Sequence, residues 1–218
     1  MTLFRLDASI RTDGSVTRQL ADTVEAAWRA GQPDAPVVRR DIGQHPLPAN
    51  AWASASTASR TPAEQRSPEQ IQASALAATL ADELLDADAY LFAVPLYNFG
   101  VAAHFKTWVD LLITDRRLPP NASGAVQGRP AVLVTSRGGG YSHGTPREGW
   151  DHSTPWLRRI LGDVLGLDLH LIEVELTLAD VNPAMEALRP LAAQSLSDAQ
   201  DLARVKGTTL AERIGQPV

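Results

Sequence analysis

Residues 89–100 read AYLFAVPLYNFG: an unbroken apolar run from Ala89 to Val94, then Pro95, then two aromatics bracketing an amide, then Gly100. An apolar run this short, bounded by Asp88 and Pro95, suits a strand covered on both faces, as in a parallel sheet. Parallel strands need crossover connections, so helix and strand patterns should alternate on either side. They do. Upstream, Leu3 to Ala8 reads as a strand. Val16 to Ala30 reads as a helix with Val16, Leu20, Val24, Ala27 and Trp28 on one face, Ser15 as N-cap, and Gly31 and Pro33 as stop signals. Val37 to Ile42 is a short second strand. Gly43 to Ser67, rich in Pro, Ala, Ser and Thr without a clear period, reads as a long surface excursion. Ser67-Pro68-Glu69-Gln70 is a capping box with proline at its first helical position, opening a helix to about Leu85.

Downstream, the pattern predicts a helix over Val101 to Ile113, a strand over Ala131 to Thr135, a helix from Thr154-Pro155 to about Leu165, a fifth strand over Leu167 to Thr177, and a last helix opened by Asn182-Pro183. The expectation is one α/β domain over residues 1–218, a doubly wound five-stranded parallel sheet with helices on both faces. Ligands of such sheets bind outside the carboxyl ends of the strands.

Composition narrows the function classes. The formal net charge is −5 and no basic run stands out, so the footprint of a nucleic-acid binder is missing. There is no cysteine, which excludes disulfides, thiolate catalysis and cysteine-held metals. No stretch approaches membrane-spanning length and no signal peptide precedes Leu3, so a cytoplasmic protein acting on small molecules is expected. Asn121-Ala122-Ser123 fits a glycosylation triplet without secretory context.

The least ordinary sequence falls just after the first, third and fourth strands. After the first, Ser9, Ser15 and Thr17 surround Gly14 and offer hydroxyls beside the free N–H groups of a helix start, a setting for a phosphate monoester; simple capping accounts for Ser15 equally well. After the third, Leu96, Tyr97, Asn98 and Phe99 suit a planar ligand, although lone aromatics there could be core or interface residues. After the fourth, Ser136-Arg137-Gly138-Gly139-Gly140-Tyr141 lets backbone N–H groups approach a ligand with no Cβ in the way; a flexible turn fits the glycines as well. No Rossmann or Walker fingerprint is present.

These segments, with Phe105-Lys106-x-Trp108-x-Asp110, resemble the FMN-dependent NADH-azoreductases within the flavodoxin-like NAD(P)H:quinone reductases, and the match spans nearly the whole chain. Leu96 stands where that family commonly has Met, and Ser9-Ile10 where it has Ser-Pro. The resemblance implies a flavodoxin-like fold, with Ser9, Ser15, Val16 and Thr17 around the FMN phosphate, Leu96, Tyr97, Asn98 and Phe99 along the isoalloxazine, and Ser136, Arg137, Gly138 and Gly139 at its polar edge. It implies a ping-pong transfer of two electrons from NADH or NADPH to quinones and azo compounds, in a homodimer. Phe99, Tyr141, parts of the excursion and, as a candidate substrate contact or proton donor, His143 would wall the substrate side.

Two rivals remain. A flavodoxin-type electron carrier needs the same loops. A serine hydrolase would use Ser136, since Val134-Thr135-Ser136-Arg137-Gly138 is similar to a nucleophile elbow, although Val134 is bulky where the elbow needs a small residue.

Overall fold

The computed structural model describes residues 1–118 and 124–213; the triplet Asn121-Ala122-Ser123 lies outside them. Five strands form one sheet in the order β2-β1-β3-β4-β5: β1 Leu3–Asp7, β2 Val37–Asp41, β3 Ala89–Ala93, β4 Pro130–Ser136 and β5 Asp168–Val174. All pairings are parallel, with Leu3 opposite both Val37 and Ala89, Tyr90 opposite Ala131, and Pro130 opposite Asp168. β1 and β3 are buried along their whole length; β3 is a continuous apolar run, whereas β1 also buries Arg5 and Asp7, which pair with each other. The chain leaves β1 toward one edge and returns on the other side through β3, so the switch point lies between them.

Alternation along β3 divides the core. Ala89, Leu91 and Ala93 face α1 (Val16–Gly31) and α6 (Arg189–Arg213), where small side chains let the helices close on the sheet. Tyr90, Phe92 and Val94 face the other layer, α3 (Pro68–Leu85) and α4 (Ala103–Leu112). There Phe4, Tyr90, Phe92, Phe105 and Trp108 pack edge-on and stacked, with centroids 5.4 to 6.5 Å apart. The buried Tyr90 hydroxyl donates to Leu84 O at 2.7 Å, and burial pushes the phenol up to about 12. α1 and α6 touch so closely that a Cβ on Gly207 would stand 2.4 Å from Val24 O. Among the described residues no helix is long and apolar enough to cross a membrane.

Four boundaries differ from the pattern reading. The excursion holds a helix, α2 (Ala51–Ala58), and a short 3-10 turn over Ala63–Gln65. α2 buries Ala51, Ala55 and Ala58, so its period is written in alanine and does not stand out from its polar neighbours. α5 (Thr154–Arg158) opens from Asp151, whose carboxylate accepts from the Ser153 and Thr154 amides at 2.8 and 2.9 Å, and it widens into a π-helical turn over Arg159–Val164. β5 ends at Val174, three residues early, because Leu176 takes a positive φ of 61° and turns the chain across the end of β4. Asn182-Pro183 starts a 3-10 turn over Pro183–Leu188, and α6 begins only at Arg189.

Candidate functional site

The first wall of the site is the β1 loop. Gly14, with φ +65°, turns the chain into Ser15, whose extended backbone caps α1. Ser15 Oγ accepts from Arg18 N at 3.4 Å, donates to Ser9 Oγ at 2.9 Å and lies 3.2 Å from Thr17 Oγ1. Three buried hydroxyls thus gather at the positive end of the helix dipole. The Val16 and Thr17 amides beside them meet no acceptor among the described residues.

A carboxylate here would repel an anion, and the two that end the flanking strands, Asp7 and Asp41, are neutralised. Arg18 donates to both oxygens of Asp41 at 2.7 and 2.9 Å, and Arg5 binds Asp7 at 2.9 and 3.1 Å, with Asp22 and Glu25 on its far side. Burial alone would raise the Asp41 carboxyl, but the bonds from Arg18 and from Gln44 N hold it below the usual carboxylate range. Arg18 also donates to Ser9 O at 2.7 Å and Arg11 O at 3.0 Å, strapping the loop to the helix.

The β3 loop is a tight turn. Tyr97 and Gly100 exchange backbone hydrogen bonds at 3.3 and 3.0 Å around Asn98 and Phe99, whose φ values are 48° and 66°. Positive φ at both central positions is type I′ geometry, strained for an aromatic residue. It is held from outside by His152 N, which donates to Phe99 O at 2.9 Å. The Tyr97 hydroxyl accepts from Ile10 N at 3.1 Å and lies 3.3 Å from Ser9 Oγ, joining the first loop to the second.

The β4 loop is shaped by the chain beyond β5. Leu176, Thr177 and Leu178 donate their amides to the carbonyls of Gly139, Arg137 and Gly138 at 3.1 to 3.2 Å, and the Gly138, Gly139 and Gly140 N–H groups meet no acceptor among the described residues. A Cβ on Gly138 would stand 2.7 Å from Leu178 Cδ1, so a larger residue there would have to push the Leu178 side chain aside. Arg137 points away from this edge. It binds Glu173, Glu175 at 3.0 Å, Asp151 at 2.8 Å and Thr154 Oγ1 at 3.1 Å. Its burial opposes the charge, and the surrounding carboxylates outweigh that and raise its pKa.

The loops enclose a cleft of about 300 Å³, at the small end of the range for ligand sites and open to solvent. Ser9, Ser15, Val16, Thr17, Leu96, Tyr97, Asn98, Phe99, Ser136, Gly138 and Tyr141, all singled out in the sequence, line it. Arg137 and Gly139 do not: the first secures the loop from behind, and the second lies under the side chain of Arg147. His143 projects into solvent with 96% of its side chain exposed, bonded to Glu148, so a role at the cleft is not supported. Among the described residues no histidine lines the cleft, so Ser136 has no base beside it there and nothing favours the hydrolase reading. Pattern reasoning missed Arg18, Thr177, Leu178 and Arg147. The first is an internal strap, Thr177 falls at the end of the strand pattern and Leu178 just past it, and Arg147 stands in a loop with no periodicity.

The lining fits FMN on its own chemistry: buried hydroxyls and unpaired amides at a helix start for a phosphate, aromatic faces for a planar ring, the unpaired Gly138 amide for its polar edge, and no carboxylate among the described residues that line it. The family model described as flavodoxin-like fold matches residues 1–197. A Frankia casuarinae protein named FMN-dependent NADH:quinone oxidoreductase is 39% identical over 94% of this chain and 98% of its own. A Streptomyces avermitilis protein of the same name is 38% identical over 97% and 98%. Among solved structures, an azoreductase from Bacillus anthracis str. Sterne superposes with a TM-score of 0.77 at 19% identity, covering 95% of this chain and 98% of that one.

Proposed function

The chain belongs to the flavodoxin-like fold family, among its FMN-dependent NADH:quinone oxidoreductases, and from that membership we propose that the switch-point cleft binds FMN and passes two electrons from NADH to quinones and azo aromatics in alternating visits to one mouth. Bound there, FMN supplies the capacity to accept a hydride from the donor and give two electrons to the acceptor. The chain's part is to bind, orient and shield.

Ser9, Ser15 and Thr17, with the Val16 and Thr17 amides, would hold the phosphate; the helix dipole and the neutralised Asp7 and Asp41 make that end receptive to a dianion without a lysine. Leu96, Tyr97, Asn98 and Phe99 would lie along the ring, and the free amides of the glycine loop would face its polar edge, where hydrogen-bond donors favour developing negative charge. Arg137 keeps that loop in place. With no acidic or basic side chain poised as a nucleophile, the cleft suits chemistry done by a bound cofactor. A second copy of the chain closing over the exposed rings of Phe99 and Trp150 belongs to the same reading.

The observation that carries the proposal is the cluster of three buried hydroxyls facing the Phe99 turn across one cleft free of carboxylates. Purified protein should be yellow, or become so with added FMN, and anaerobic NADH should bleach it without any partner protein. A protein that stays colourless with excess FMN refutes the reading.

A further inference from the structure

The mouth of the cleft holds a guanidinium that pairs with no carboxylate among the described residues. Arg147 lies 5.9 Å from the Phe99 ring centroid and 5.7 Å from that of Tyr141. Its Nη1 covers Gly139 so closely that a Cβ there would stand 2.6 Å away. It makes no ion pair among the described residues, and the neighbouring carboxylate of Glu148 is taken by His143 Nδ1 at 2.6 Å and Gly144 N at 2.8 Å. Aromatic faces orient a cation without cancelling its charge. The other cation of the lining, Arg11, belongs to the β1 loop, where its amide donates to Ser9 Oγ and its guanidinium lies beside Gly14. A protein of net charge −5 therefore presents two separated positive charges and no negative one along a single cleft.

Arg11 stands where a phosphate would lie; Arg147 stands where aromatic rings meet solvent. A planar molecule entering over Phe99 and Tyr141 would bring a ring substituent against the guanidinium fork, whose geometry matches a carboxylate or sulfonate. We propose that Arg147 is a specificity-determining residue that favours acceptors carrying an oxyanion, namely sulfonated or carboxylated quinones and azo aromatics, over uncharged ones. This rests on the reading of the cleft as a flavin site with a shared mouth. Arg147 lies on an exposed segment between Gly144 and Gly149, so its replacement leaves the core untouched.

The test compares 1,4-naphthoquinone-2-sulfonate with 2-methyl-1,4-naphthoquinone in the FMN-loaded protein and in Arg147→Gln and Arg147→Lys. The ratio of kcat/KM values for the charged over the uncharged quinone should fall about fivefold in Arg147→Gln, the scale of a partly exposed charge pair, and largely recover in Arg147→Lys. Calorimetric titration of the oxidised protein with the sulfonate, which needs no turnover, should show its Kd rising by the same factor, and added salt should erase the difference between the proteins. An unchanged ratio and Kd with FMN uptake intact overturns the proposal while leaving the flavin reading standing. A raised KM for NADH with the quinone ratio unchanged also overturns it, because the cation would then serve the donor's phosphates. An unaltered protein that takes up no FMN overturns both.

Discussion

Replacing Ser15 separates two roles that one hydroxyl performs. As N-cap of α1 its Oγ accepts from Arg18 N at 3.4 Å, a long bond, so its loss should cost toward the low end of the usual range for a cap, about 0.5–1 kcal/mol for Ser15→Ala. Ser15→Gly should cost only a few tenths, since glycine is itself an acceptable cap. As a ligand group, the same hydroxyl sits with Ser9 and Thr17 at the proposed phosphate position. A hydrogen bond to a charged group contributes about 1.5–3 kcal/mol, so either substitution should raise the Kd for FMN by about 10- to 100-fold. Urea melts of the flavin-free proteins would give the first quantity and quenching of flavin fluorescence the second. The two variants should therefore differ in stability and agree in affinity. If FMN affinity instead follows stability, or stays within about twofold of the unaltered protein, Ser15 is a cap and nothing more, and the phosphate has been misplaced.

Tyr97→Phe removes the hydroxyl that holds Ile10 N and Ser9 Oγ, and should cost about 1 kcal/mol in a urea melt and weaken FMN binding a few-fold by loosening the first loop. Gly207→Ala places a Cβ 2.4 Å from Val24 O and 2.7 Å from Ala27 Cβ, both on α1, and should lower thermal stability by about 1–3 kcal/mol with little effect on flavin affinity once folded. Asp41 and Asp151 are held below the usual carboxylate range by their hydrogen bonds and by Arg18 and Arg137, against burial. A lowered pKa in the folded state means the unfolded chain takes up protons first as pH falls, so their contribution is complete above the ordinary carboxylate pKa of about 4 and is lost below it. Urea midpoints between pH 6 and 3 should fall more steeply in the unaltered protein than in Asp151→Asn.

The sheet was legible because β3 is buried on both faces and so carries an unbroken apolar run; Ala89 to Val94 alone implies parallel pairing. The loops of the site were partly legible for a related reason, since hydroxyls, aromatics bracketed by proline and glycine, and consecutive glycines at strand ends stand out from their surroundings. What stayed hidden was carried by long-range partners. Arg18 looks like an ordinary exposed helix residue until folding brings Asp41 beside it, and Arg137 looks like part of a ligand loop until Glu173, Glu175 and Asp151 draw it to the other side. α2 was hidden for a third reason, because alanine packs where space is tight without marking a hydrophobic stripe.

The left-handed pair at Asn98 and Phe99 sets a limit on how this sequence can change. Glycine would relax that backbone at both positions, by about 1–2 kcal/mol at the phenylalanine, yet the chain keeps an amide and an aromatic ring there. Selection for heat resistance alone, with no demand for turnover, should reach these two positions early and replace them. A variant pool that never does so would mean that the side chains also hold the folded state together.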